Sequence, residues 1–254
     1  MNQTRRTFLE RSLLTGTAIS LHSILQASMP VSAIPSVGPE AGATILFQGD
    51  SITDGGREKT HELPNSGSSF GGGYAFLAAS ALLAKFPSSG LSVYNRGISG
   101  NKVHQLAERW EKDCIGLSPN VLSILIGVND YWHMRSGNYD GNVERYTTDF
   151  RALLSQTKQA LPGVKLVICQ PFVLPGTTAV DESWLEPFAP YQTSAAMLAK
   201  EFQTTWVPFQ ETFNEAMKHA PAPYWAHDGV HPSMAGSWLM AAAWLKAVYG
   251  IEID

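Results

Sequence analysis

Four short segments of this 254-residue chain carry residue types suited to acyl transfer. Ser51 lies in Gly49-Asp50-Ser51-Ile52-Thr53-Asp54, directly after the apolar run Thr44–Gln48. A hydroxyl at a strand-to-helix turn is exposed at the sheet edge, where the first helical turn offers free backbone N–H groups and a positive dipole end. That setting suits a nucleophile whose intermediate is an oxyanion. The same residues also fit a plain helix start, with Ser51 as cap and Asp54 completing a capping box. A second segment, Asn95-Arg96-Gly97-Ile98-Ser99-Gly100-Asn101, has glycines that let the backbone approach a ligand, and the Gly100 N–H can serve as an oxyanion donor. In Gly127-Val128-Asn129-Asp130 the Asn129 amide can donate to a developing negative charge without titrating, although an Asn-Asp pair is otherwise a common turn or cap. Near the C-terminus, Trp225-Ala226-His227-Asp228-Gly229-Val230-His231-Pro232 sets Asp228 and His231 three residues apart, with Gly229 able to turn the chain between them. An imidazole oriented by a carboxylate is what a general base requires.

Two competing patterns are weaker. His227 and His231 form an HxxxH spacing, but a metal pair of that kind needs a helix to put both rings on one face, and Gly229 with Pro232 opposes one. Gly67-Ser68-Ser69-Phe70-Gly71 matches G-x-S-x-G, a nucleophile elbow that requires a strand immediately before it. The preceding Leu63-Pro64-Asn65-Ser66 reads as loop, so residues 55–73 are expected to form a Gly/Ser-rich loop near the site mouth. No nucleotide-binding glycine motif and no zinc-spaced Cys/His cluster is present, so neither a cofactor nor a metal is expected.

The elements that would hold these segments follow from the hydrophobic pattern. Strand candidates are Thr44–Gln48, Leu91–Asn95, Val121–Ile126, Lys165–Cys169 and Thr205–Pro208, all continuous apolar runs of the kind buried on both faces. Helix candidates are Tyr74–Lys85, Lys102–Lys112, Asn142–Ala160, Pro190–Glu201 and Pro232–Tyr249. Strand–helix alternation predicts βαβ units, a parallel sheet and a three-layer α/β/α sandwich. Ligands of such sheets bind at the carboxyl ends of the strands, where the chemistry-bearing segments stand.

Composition bounds the rest. Hydrophobic residues make up 44% and charged residues 16%, which suits a packed core. Residues 1–33 contribute +2 to a net charge of −4, so the remainder carries −6, a balance that opposes nucleic acid or an anionic membrane as partner. Those first 33 residues place Arg5 and Arg6 before an apolar stretch and the small residues Val31, Ser32 and Ala33. This is the order of an export signal of twin-arginine type, too weakly apolar for a stable membrane span. Cleavage after Ala33 is expected, with Ala27 as the rival, followed by a flexible lead-in at 34–42 and a catalytic domain over 43–254. The protein is thus expected to be exported, periplasmic or secreted. Cys169 reads as a buried small hydrophobe, and a bridge to Cys114 stays open.

Taken together, the blocks FQGDSIT, NRGISGN, LIGVND and DGVHP, in this order over residues 44–249, resemble the SGNH (GDSL) hydrolase family. The resemblance implies a flavodoxin-like sheet of about five strands and a serine esterase without cofactor. It implies Ser51 as nucleophile, His231 as general base and Asp228 as its orienting carboxylate. It further implies an oxyanion hole made of the backbone N–H groups of Ser51 and Gly100 and the Asn129 amide. The longer strings GDSITDGGR, GISGN and IGVNDYW are similar to those of acetylesterases acting on plant polysaccharides, acetylxylan esterases especially. The aromatics Tyr131, Trp132, Trp184, Tyr224 and Trp225 are therefore candidates to contact sugar rings. A lysophospholipase or thioesterase of the same fold, and a catalytically silent carbohydrate-binding protein, are the alternative readings.

Overall fold

The apolar runs pair into one sheet. The computed structural model describes residues 38–253, so the expected export segment lies outside the described residues. The strands are β1 (Thr44–Gly49), β2 (Ser92–Asn95), β3 (Val121–Leu125), β4 (Lys165–Cys169) and β5 (Thr205–Val207). All pair in parallel, in the order β2-β1-β3-β4-β5. This is the flavodoxin-like order. The central β3 is buried along its whole length, whereas the edge strand β2 alternates, as expected where one flank lacks a neighbour.

The helices are α1 (Ser51–Asp54), α2 (Tyr74–Lys85), α3 (Val103–Glu108), α4 (Trp110–Asp113), α5 (Val128–Arg135), α6 (Val143–Ala160), α7 (Leu185–Glu201), α8 (Phe209–Ala216), α9 (Ala222–Trp225) and α10 (Met234–Tyr249). The step from β1 to β2 runs opposite to the later steps through β3, β4 and β5. Right-handed crossovers then place α2 on one face and α3, α6 and α7 on the other. Phe47 of β1 accordingly meets Tyr74 of α2 and Trp244 of α10, and Trp244 Nε1 donates to Ser123 Oγ of β3 at 2.9 Å. On the other face Trp110 Nε1 donates to Thr157 Oγ1 of α6 at 2.9 Å. The reversal falls between β1 and β3, and the chains leaving these two strands diverge to open a crevice.

Three helix expectations are corrected. The single helix expected over Lys102–Lys112 is broken at Arg109, whose side chain turns back to hydrogen-bond the carboxyl end of β1 and the loop after β2. The helix expected to start at Pro190 starts at Leu185 instead, with Pro190 inside it. It persists because Pro190 and Glu186, whose carbonyl loses its partner, are both exposed, while Phe188, Tyr191, Ala195 and Leu198 bury the opposite side. The last helix begins at Met234, with Ser233 as its cap, rather than at Pro232. Cys114 and Cys169 are both buried and free.

Candidate active site

β1 delivers Ser51 to the crevice. Asp50, not Ser51, caps α1: its Oδ1 accepts the Ile52 N–H at 3.0 Å. Ser51 is therefore the first helical residue, and its hydroxyl is left for another partner. That partner is His231, whose Nε2 lies 2.8 Å from Ser51 Oγ across 180 residues of chain. His231 Nδ1 lies 2.6 Å from Asp228 Oδ2. Asp228 Oδ1 also accepts the backbone N–H groups of Val230 and His231, at 2.9 and 2.7 Å. One carboxylate thus holds both the ring and the turn that carries it. Gly229 makes the turn possible, with φ +87° and the Leu174 carbonyl so close that no Cβ would fit. No helix spans His227 and His231, so the two rings share no helix face.

The electrostatics follow the geometry. The hydrogen bond to Asp228 raises the His231 pKa above its ordinary 6.5, with the charges of Asp228 and Asp50 adding and burial opposing. Burial pushes the Asp228 carboxyl up, but the bonds from the His231 ring and from the backbone of His231 and Val230 outweigh it and bring the group to about 2. With Nδ1–H donated to this carboxylate, Nε2 is free to accept the Ser51 proton.

The oxyanion candidates line one pocket with Ser51. Gly100 stands at φ +81° in the turn after β2, and Asn129 is buried in the first turn of α5, after β3. Both line a pocket of ≈420 Å³ together with Ser51, Trp132, His133 and His231. Among the described residues, no hydrogen bond uses the N–H of Ser51 or of Gly100. A second hollow of ≈420 Å³ flanks Ser51 and His231 on the side of Gly55, Gly56, Gly72 and Gly73, the two ends of the expected glycine-rich loop. Ser69 of the G-x-S-x-G match is buried in that loop, and its Oγ accepts the Leu63 N–H at 3.1 Å. Another cavity, of ≈390 Å³, lies at the amino ends of β3 and β4 and contains none of these residues.

Of the five aromatics expected to meet substrate, only Trp132 lines the pocket; its ring centroid is 6.4 Å from that of His231. Tyr131 and Trp184 belong to the core instead. They are 1% and 3% exposed and pack edge-on at 5.2 Å. Their aromaticity supplies buried area rather than recognition. Tyr224 and Trp225 sit on α9, packed edge-on against each other, and line neither hollow at Ser51. Conversely, His133 and Ser136 line the pocket and were not singled out in the sequence. They follow Asn129 at i+4 and i+7, a spacing that would have found them had α5 been read as a helix.

Asp54, Arg57 and Arg96 brace the loops, and Asp54 takes no part in the capping box that it could have completed with Ser51. Asp54 Oδ2 accepts the Ser99 hydroxyl at 2.6 Å and its N–H at 3.0 Å, which ties the segment after β2 to α1. Arg57 Nε donates to the Gly97 carbonyl at 2.8 Å, and Glu62 pairs with both Arg57 and Arg96, at 3.0 and 2.9 Å.

Two buried carboxyls lie beneath the site. Burial pushes Asp50 and Asp130 each up to about 7 from 3.8. The folded state therefore favours their protonated forms. The stability this contributes is full below the ordinary carboxylate value and is lost as pH rises towards 7. Asp130→Asn, which cannot ionise, should accordingly gain thermal stability relative to the unaltered chain, and gain more at about pH 8 than at about pH 5. Equal shifts at both pH values would contradict the assignment.

Comparison with known proteins identifies the family. A model of the GDSL-like lipase/acylhydrolase family matches residues 47–239. An acetylxylan esterase of Geobacillus stearothermophilus is 34% identical over 212 residues, which are 82% of this chain and 94% of that protein. Among solved structures, a GDSL-like lipase from Parabacteroides merdae superposes with a TM-score of 0.81 at 49% identity, over 84% of this chain and 98% of that one. A structure of the Geobacillus acetyl xylan esterase gives a TM-score of 0.76 at 34% identity, over 85% of this chain and 98% of the other. With the family model spanning most of the chain and the acetylxylan esterase relative aligned over nearly its whole length, this protein belongs to the GDSL-like lipase/acylhydrolase family and is a carboxylic ester hydrolase.

Proposed function

We propose that this esterase removes acetyl groups from the hydroxyls of a polysaccharide or oligosaccharide of the acetylxylan kind. The observation that carries the chemistry is the chain of contacts from Ser51 Oγ to His231 Nε2 and from His231 Nδ1 to Asp228. The substrate class is supported by the acetylxylan esterase relative, aligned over nearly its whole length. Solved forms of that esterase include catalytic mutants in which a serine or a histidine is replaced by alanine.

In this reading Ser51 attacks the ester carbonyl as His231 takes its proton. The charge that develops on the carbonyl oxygen meets the N–H groups of Ser51 and Gly100 and the Asn129 amide. Collapse of the tetrahedral intermediate breaks the bond to the sugar oxygen, which takes the proton from His231 as it leaves and becomes the free hydroxyl. Water, activated by the same imidazole, then releases acetate and restores Ser51. The face of Trp132 beside the polar His133 and Ser136 suits a sugar ring, whose C–H surface stacks on an aromatic while its hydroxyls seek donors and acceptors. Export through the twin-arginine segment accompanies this proposal, since it would bring the enzyme to an extracellular polymer.

Hydrolysis of p-nitrophenyl acetate, butyrate and octanoate by residues 34–254 tests it. Rates should fall steeply with acyl length, and acetate should be released from acetylated xylan. Octanoate matching or exceeding acetate would refute the acetyl assignment and favour a lysophospholipase or thioesterase.

A further inference from the structure

Arg109 stands between α3 and α4, at the break in the helix expected there. Its guanidinium reaches four acceptors. Nε donates to Asn101 Oδ1 at 2.9 Å, Nη1 to the Arg96 carbonyl at 2.8 Å and to Asp113 Oδ2 at 3.0 Å, and Nη2 to the Gly49 carbonyl at 3.4 Å. Gly49 lies two residues before Ser51, and Arg96 and Asn101 bracket Gly100. Asn101 extends the chain one step, because its backbone carbonyl accepts from Asn129 Nδ2 at 3.3 Å. One side chain thus ties together the ends of β1 and β2 and, through Asn101, the asparagine that follows β3. Arg109 itself lines neither hollow at Ser51.

We propose that Arg109 is a positioning residue that sets the geometry of the oxyanion-binding groups, acting through Asn101 on Asn129. This rests on the reading of Gly100 and Asn129 as oxyanion donors. A side-chain amide carries two N–H donors on one end and an acceptor oxygen on the other. The Asn101 carbonyl occupies one N–H of Asn129, which decides that nitrogen rather than oxygen faces the pocket and leaves the second N–H for the substrate. Were Asn101 free to shift, the amide could turn and present its oxygen to the developing charge. Preorganised donors owe their value to being fixed before the charge appears. Asp113 balances the positive charge of Arg109 locally, so the contribution of the arginine is its planar fork of N–H groups. A lysine ammonium, a point charge on a flexible stem, cannot span the same acceptors.

A half-buried arginine that merely braced the fold would lower activity without regard to Asn129, and a double-mutant cycle separates the two cases. The variants are Arg109→Lys, Asn129→Ala and both together, assayed with p-nitrophenyl acetate and followed by thermal unfolding. Asn129→Ala should lower kcat by about 10²–10³-fold. Arg109→Lys should lower kcat by roughly tenfold to a hundredfold with KM little changed, the mark of an interaction made in the transition state. In the Asn129→Ala background the same change should cost less than about threefold more. Asn101→Ala cuts only the Nε link, keeps the guanidinium, and should show the same non-additivity if Arg109→Lys fails to fold. An equal fold-loss in both backgrounds, or an unchanged kcat in Arg109→Lys, would overturn the inference. Asn129→Ala at full kcat would overturn the oxyanion reading itself, and this inference with it.

Discussion

Ser51→Ala should lower kcat for p-nitrophenyl acetate by about 10⁵–10⁶-fold, while Ser69→Ala leaves the rate near that of the unaltered chain. The contrast follows from where the two hydroxyls point. Ser51 Oγ is 2.8 Å from an imidazole nitrogen and lines both hollows at the strand ends. Ser69 Oγ accepts a backbone N–H inside a loop and is 2% exposed, so it has neither a base nor access to substrate. Without Ser51, the imidazole retains no nucleophile within reach, and only binding and oxyanion stabilisation of a water attack remain. Ser51→Ala should fold normally, because Asp50, not Ser51, caps α1. A Ser51→Ala protein that retains most of its activity would show that the nucleophile lies elsewhere; loss on Ser69→Ala would identify where.

The second large effect belongs to Asp228→Asn, for which kcat should drop by about 10³–10⁴-fold. Its Oδ1 contacts, to the N–H groups of Val230 and His231, can be kept by the amide oxygen. The amide nitrogen then faces His231 Nδ1, where Asp228 Oδ2 stood. It must donate there, so the proton is driven to Nε2, and the ring can no longer accept from Ser51. The same substitution removes the principal reason that the His231 pKa is raised. Activity requires neutral His231 and is lost as pH falls through its pKa. The acid limb of kcat/KM in the unaltered enzyme should therefore lie above the ordinary imidazole value of 6.5, and Asp228→Asn should move it to lower pH on a reduced plateau. An acid limb that stays in place would mean that Asp228 does not govern this titration.

The core strands were legible because β1, β3 and β4 are buried on both faces and so read as unbroken apolar runs. α5 was not, since it spans only eight residues and two of its four buried residues are the polar Asn129 and Asp130. Pro190 misled for the opposite reason: local propensity argued for a helix start, and the buried stripe through Phe188, Tyr191 and Leu198 overrode it. Among the aromatics, residue type alone could not separate Tyr131 and Trp184, which fill the core, from Trp132, which faces the pocket between them in sequence.

The sequence by itself determined the class of fold, the family and the residues Ser51, Gly100, Asn129, Asp228 and His231 as candidates, because strand-end blocks are local signals that a parallel sheet must bring to one edge. Only the tertiary structure decided which groups face one another. The approach of Ser51 to His231, the shared acceptors of Arg109 and the burial of Asp50 and Asp130 all depend on segments far apart in the chain. Packing across the layers sets those distances, and no local pattern encodes them.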